Sequence, residues 1–283
     1  MNKVIVTSDS TSDLSPGIIE KLDIKIIPLY VNIGDDSYKD GVDIKQKDVF
    51  ESFEKDGVLA KTSAISVYDF KLFFEYYLKQ GYEIVHFSIS SLFSSCHQNA
   101  INASQYLETD RISFIDSINL SSGIGHQVIR AGILAKKGAS RQEIVEDNES
   151  IKAKVNSSFV IDSLTYLAKG GRCPGLVAQG ANLIKLKPCI EVIGGTMKVG
   201  KQYRGSLERC LNAYIDDRLR DIESIDSNRV FITHTVEDEE LVERIVEKVE
   251  NLKYFDEILI TEASCTISCH CGPGTLGILY IEK

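Results

Sequence analysis

An α/β protein of two domains is predicted for this chain by three features of its sequence. Short apolar runs rich in β-branched residues alternate with helix-period segments through the first half. Hydroxyl-rich loops follow or flank those runs. Past residue 155 the alternation gives way to a hairpin and a less regular order of strands and helices. The expected division is residues 1–155, a three-layer α/β/α domain on a parallel sheet, and residues 156–283, a two-layer α+β domain with a mixed sheet.

The elements follow in order. Residues 3–7 form an apolar strand that empties into SDSTSDLSPG, where Ser15 and Pro16 make a good helix start. Residues 24–33 read as a second strand, irregular or at an edge because of Pro28. The polar stretch GDDSYKDGVDI reads as an excursion, and residues 45–55 as a helix closed by Gly57. KTSAIS, residues 61–66, is a hydroxyl-rich loop, and Ser66 with Asp69 forms a capping box for a helix over 67–80. Ile84, Val85, Phe87 and Ile89 mark a buried strand, followed by five serines and a helix over 98–107. A strand over 111–117, a helix over 120–137 stopped by Gly138, and a charged helix from 140 to about 155 complete this half. The second half reads as FVIDSLTYLAKGGRCPG, an amphipathic helix, and a hairpin turning at Gly194 and Gly195. Helices over 206–222 and 238–251 alternate with strands over 229–234, 258–262 and 276–281.

Composition narrows the function. A net charge of −9 argues against a general nucleic-acid binder, which needs a basic face. The first residues hold no long apolar core or cleavage site, and no apolar run approaches the ~18 residues of a membrane span. A cytoplasmic location without stable membrane insertion is expected. Seven cysteines in such a chain read as buried thiols. Cys265, Cys269 and Cys271 cluster around His270, but their spacing is not a usual zinc set, and no metal site is expected. Read as an extended segment, it puts Cys269 and Cys271 on one side.

The chemistry concentrates where strands end. Ser88, Ser90, Ser91, Ser94 and Ser95 sit at a strand–helix junction, which presents backbone N–H groups, hydroxyls and the positive end of a helix dipole. Such a place suits a carboxylate or phosphate. Ser94 is also an ordinary candidate for the helix N-cap. Two further hydroxyl loops, 8–12 and 62–66, flank predicted strands, and in a parallel sheet all three converge beyond the carboxyl ends. Asp9 and Asp13 read as caps without assigned chemistry. A serine hydrolase using Ser94 or Ser95 is the alternative reading, although the chain has no G-x-S-x-G elbow. A sugar-phosphate binder follows from the same loops. No P-loop is present, so kinase activity by this chain alone is not expected.

Seven motifs occur together in one order: VIVTSDSTSDL, KTSAIS, SSLFSSCHQNA, FIDS, LAKGGR, LKPCIEVIGG and HCGPGTLGILY. In these the chain resembles the DegV family over nearly its whole length. The resemblance implies a two-domain α/β carrier of one long-chain fatty acid, such as palmitate or oleate, with no other cofactor. It also implies a partner, the dihydroxyacetone-kinase-like subunit of a bacterial fatty-acid kinase, which phosphorylates the bound carboxylate. Carried over by motif, Thr62 and Ser94 hold the carboxylate, Ser63, Ser95 and His270 neighbour it, and Arg172 lies at the entrance, towards phosphoryl transfer. No residue of this chain is then catalytic. Two departures stand out: Phe93, Ser94, Ser95 and Cys96 replace the usual leucine-serine-glycine-threonine, and Ala64 and Ile65 replace a glutamine-proline pair. Leu164, Leu167, Ile184 and Ile190 are candidates for the acyl tunnel.

Overall fold

The computed structural model describes residues 3–173 and 186–283. The amphipathic helix expected after the LAKGGR motif, and Ile184 with it, lies outside the described residues. Strands β1 (Val4–Asp9), β2 (Lys25–Ile27), β6 (Glu83–Ser88) and β7 (Ile112–Asp116) form a wholly parallel sheet in the order β2-β1-β6-β7. Two helix groups cover it. Pro16–Leu22, Ser122–Lys136 and Arg141–Ile151 pack together, and Val67–Lys79 packs with Cys96–Gln105. The Val67–Lys79 helix shows why: Phe70, Phe74 and Leu78 recur every four residues and are buried, while Tyr68, Leu72 and Tyr76 are exposed. Ser66 Oγ starts it by accepting the Asp69 N–H at 3.0 Å.

The expected strand over 24–33 is two strands in two sheets. Pro28 has no N–H to offer a ladder, so β2 stops at Ile27. β3 (Tyr30–Ile33) then joins β4 (Asp36–Lys39) and β5 (Lys61–Ser63) in a small antiparallel sheet ordered β4-β3-β5. This sheet was hidden because β4 is a mostly exposed DSYK run with no apolar alternation, and β5 spans only three residues. The 34–44 excursion is therefore largely a hairpin, and part of the KTSAIS loop is a strand. The charged helix ends at Ile151 rather than near residue 155, because Val155 opens the next strand.

The second half holds a six-stranded mixed sheet of β8 (Val155–Val160), β9 (Lys187–Ile193), β10 (Thr196–Tyr203), β11 (Ile225–His234), β12 (Ile258–Glu262) and β13 (Leu276–Glu282). Its order is β10-β9-β8-β13-β11-β12, antiparallel except for the β11–β12 pair. Gly194 and Gly195 turn the β9–β10 hairpin with φ of +58° and +78°, a backbone that L side chains resist. Residues 265–271 are a helix, Cys265–Cys271, not the extended segment expected. Cys265 and Cys269 thus share one face, packed with Val31, Phe50 and Tyr166. One apolar core runs from Ile84 and Phe87 through Ile124 to Phe159, Phe231 and Leu279. No helix among the described residues is long and apolar enough to cross a membrane.

Buried inside the first sheet, His86 donates or accepts one hydrogen bond with Thr7 Oγ1 at 2.9 Å and sits edge-on to Phe70 and Phe74, 5.2 Å from each. Burial, with a smaller contribution from His97, pushes its pKa down from 6.5 to about 3. The folded ring stays neutral while the unfolded ring takes a proton below pH 6.5. Its contribution to stability is therefore complete above that pH and declines as pH falls towards 3. His86→Leu is expected to show a smaller drop in urea midpoint than the wild type between about pH 7 and about pH 5. Equal drops in the two proteins contradict this assignment.

Candidate functional site

Residues just beyond the carboxyl ends of β2 and β6, Leu29 and Ile89, line a cavity of about 400 Å³, within the usual range of about 300–1,000 Å³ for ligand sites, whereas the 8–12 hydroxyl loop expected to converge there does not line it. Its walls come from both sides of residue 155. Leu29, Ile89, Phe93 and Leu120 line it from the first half, and Phe159, Leu167, Met197 and Leu279 from the second. All six residues singled out in the sequence line this one cavity: Thr62, Ser63, Ser94, Ser95, Arg172 and His270. Of the tunnel candidates, Leu167 lines it, whereas Leu164 and Ile190 pack into the core behind it. The apolar walls had no signal in the sequence beyond being apolar, since they come together only when the sheets pack.

Thr62 is the middle residue of β5, held by pairing with Val31 of β3. Its Oγ1 lies 2.9 Å from His270 Nε2, across more than two hundred residues of chain. His270 is half-buried near the end of the Cys265–Cys271 helix, and its Nδ1 has no hydrogen-bond partner. Burial, assisted by the nearby Arg172 charge, pushes this imidazole down to about 4, so it is neutral at physiological pH. A neutral ring carries one N–H. Placing it on Nε2 leaves Nδ1 a bare acceptor, a cheaper buried orphan than an unmatched N–H. His270 then donates to Thr62 Oγ1, and the threonine's own hydroxyl proton is free for a ligand.

The LAKGGR motif explains itself in this geometry. A Cβ on Gly170 would stand 2.4 Å from His270 Nδ1, so only glycine lets the ring approach. Gly171 ends the Leu164–Gly170 helix with φ of +70°. Arg172 follows, exposed, with its guanidinium donating to the Gly170 carbonyl at 2.7 Å.

The serine loop is fixed differently from the expected N-cap. Ser95, not Ser94, is the N-cap of Cys96–Gln105, and its side chain makes no capping bond. Ser94 Oγ instead accepts the Cys96 N–H at 3.3 Å and donates to Cys96 Sγ at 3.2 Å. Ser95 has φ of −78°, so serine fits this backbone without strain where the family's usual glycine would stand. Asn99 Nδ2 donates to the Ile65 carbonyl at 2.8 Å and ties this helix to the Thr62 loop. Carboxylates brace the loop from below: Asp9 accepts the Ile89 N–H at 2.8 Å, and Asp116 accepts the Ser91 N–H at 3.2 Å. Ser90 Oγ donates to the Gly195 carbonyl of the second half at 2.8 Å. Ser63 Oγ accepts from Asn32 Nδ2 at 2.7 Å, so its hydroxyl proton is unspent. Asp9 thus has a bracing role that the sequence reading left unassigned.

A family profile described as "Uncharacterised protein, DegV family" matches residues 3–283. DegV domain-containing proteins of Clostridium acetobutylicum and Clostridium perfringens are each 30% identical over 283 residues, covering 100% of both chains. Among solved structures, a DegV family protein from Thermus thermophilus, described for its fatty acid binding, matches with a TM-score of 0.91 at 26% identity over 100% of both chains. A stearic acid-binding protein from Eubacterium ventriosum matches with a TM-score of 0.87 at 26% identity, covering 100% of this chain and 99% of its own. On this full-length match of sequence and fold, the chain belongs to the DegV family.

Proposed function

We propose that this protein binds one long-chain fatty acid and presents its carboxylate to a partner kinase. The observation that carries the reading is a single cavity with an apolar wall from both halves and the Thr62, Ser63, Ser94 and Ser95 hydroxyls beside His270. A tail of about fourteen methylenes at ~0.8 kcal/mol each supplies ~11 kcal/mol gross, of which association and ordering consume several. The carboxylate, buried unpaired, would cost several more. Thr62 offsets that cost with a neutral hydroxyl donor, Ser94 does so once its hydroxyl turns from Cys96 Sγ to the carboxylate, and the first turn of the Cys96–Gln105 helix adds its dipole. Holding an anion without a full counter-charge suits cargo that must later react at the same oxygen.

The relatives support the ligand class, since fatty acid binding is what the Thermus and Eubacterium structures are described for. The hydrolase reading finds less support: among the described residues, no serine hydroxyl is hydrogen-bonded to a histidine, and His270 Nε2 is engaged by Thr62. The carrier is therefore expected to copurify with about one fatty acid per chain, read by denaturing extraction and mass spectrometry. A stoichiometric sugar phosphate, or an empty protein that takes up neither palmitate nor oleate, overturns the reading. Thr62→Ala and Ser94→Ala are each expected to weaken fatty-acid binding roughly tenfold to a hundredfold, the worth of about 1.5–3 kcal/mol for a hydrogen bond to a charged group. Labelling of Ser94 or Ser95 by a serine-reactive phosphonate, with binding intact in Ser94→Ala, favours a hydrolase instead.

Arg172 separates carrying from presenting. Its exposure at the cavity rim supports a role towards a transferring phosphoryl group or an acidic face of the kinase rather than the resting carboxylate. Arg172→Ala is expected to keep fatty-acid affinity within a fewfold while sharply reducing acyl-phosphate formation with a reconstituted dihydroxyacetone-kinase-like subunit and ATP. Loss of the fatty acid itself makes Arg172 a primary ligand. Unchanged phosphorylation makes it a solvated charge.

A further inference from the structure

The short helix that carries His270 is gripped at its other end by carboxylates from the distant N-terminal third of the chain. Asp40 accepts the Cys265 N–H at 2.9 Å through Oδ1 and the Thr266 N–H at 3.2 Å through Oδ2. Asp13 accepts the preceding Ser264 N–H at 3.0 Å, and the Ser264 hydroxyl accepts from Ile267 N at 3.4 Å. Both carboxylates are buried, Asp40 at 3% and Asp13 at 6% exposure. One serine cap is the ordinary provision for a helix start. Two buried carboxylates on a helix of seven residues are far more than its own stability requires, because each costs several kcal/mol to desolvate.

What the arrangement fixes is position. Asp40 immediately follows β4, and Thr62 is on β5; both strands pair with β3 in the small sheet. That sheet therefore holds the helix twice, by Asp40 at its first N–H groups and by Thr62 at His270. The two points are five residues apart, roughly 7.5 Å along a helix axis. Ser10 extends the grip, donating to Asp40 Oδ2 at 2.9 Å and accepting the N–H of the cavity residue Leu29 at 3.1 Å. On its Nδ1 side the imidazole packs against Gly170, where a Cβ would stand 2.4 Å away.

We propose that Asp40 is a positioning residue for ligand binding: by holding the N-terminus of the Cys265–Cys271 helix it sets His270 against Thr62, and so orients the threonine hydroxyl towards the carboxylate. It touches no ligand. The inference rests on the fatty-acid reading and adds to it a residue outside the cavity.

A double-mutant cycle tests it, with an intrinsically fluorescent polyene fatty acid as the probe. Asp40→Asn keeps the shape but turns one acceptor into a donor facing an N–H, and is expected to weaken probe binding about tenfold in the wild-type background. In a His270→Ala background the same substitution is expected to weaken it less than about twofold, because the group it positions is gone. Equal losses in both backgrounds, or no loss in the first, overturn the proposal, since a merely structural carboxylate lowers stability without this dependence on His270. Should Asp40→Asn fail to fold, Ser10→Ala removes only one donor to Asp40. It is expected to show the same dependence at about twofold to threefold, and additivity there overturns the proposal equally. Failure of the wild type to bind the probe refutes the fatty-acid reading itself, whereas a binding wild type with an additive cycle refutes only the role of Asp40.

Discussion

Buried carboxylates bonded to backbone N–H groups hold the loops around the cavity. Asp9 fixes the start of the serine loop at Ile89, Asp13 joins Ser121 to Ser264, and Asp40 caps the His270 helix. Burial pushes Asp9 up to about 6 and Asp13 up to about 7, against hydrogen bonds that pull the other way. These groups are expensive to keep in the interior, and backbone amides are the partners that offset the cost. The return is rigidity in loops that otherwise have little apolar surface to anchor them. The proposed carboxylate site, made of hydroxyls, needs that rigidity, because a misplaced neutral donor contributes far less than a misplaced charge.

The Ser122–Lys136 helix extends the same logic to the join between the halves. It packs on β1 and also on β8 and β13 of the second sheet. Its first turns carry small residues: a Cβ on Gly125 would stand 2.9 Å from the Ser12 carbonyl, so the hydroxyl loop after β1 lies directly against the helix backbone. His126 bonds to the Leu279 carbonyl at 3.0 Å, and Ser122 shares a hydroxyl cluster with Thr233 and Thr261. The seam beside the cavity is therefore polar, with His126 Nδ1 and Gln127 Oε1 left without partners, while the cavity wall itself draws on Phe93, Phe159 and Leu279. A ligand with one charged end and a long apolar body meets both kinds of surface.

Neutrality at His270 links this architecture to the proposed chemistry. A charged imidazole beside Arg172 would bind a carboxylate more strongly, but would also draw electron density from the oxygen that is to attack a phosphoryl group. The half-buried ring directs its one N–H to Thr62 and leaves the positive charge at the rim, where Arg172 is exposed. Under the proposed function, holding and presenting would fall to residues that sit at different depths.

The sequence by itself determined the α/β class and most helices and parallel strands of the first half, while the residues proposed to meet a carboxylate came from the resemblance of its motifs. The elements follow from local rules: β-branched runs make strands, Ser66 and Ser140 cap helices, and Gly57 and Gly138 stop them. Only the tertiary structure decided the small β4-β3-β5 sheet, the helical state of residues 265–271, the apolar wall and the grip of Asp40 on Cys265 and Thr266. Each depends on partners far apart in the chain. β4 has no apolar alternation and is held by pairing with β3. The seven-residue helix is too short to persist alone and is held by carboxylates more than two hundred residues away. Local preference is silent about such contacts, because their free energy appears only when the sheets close around the cavity.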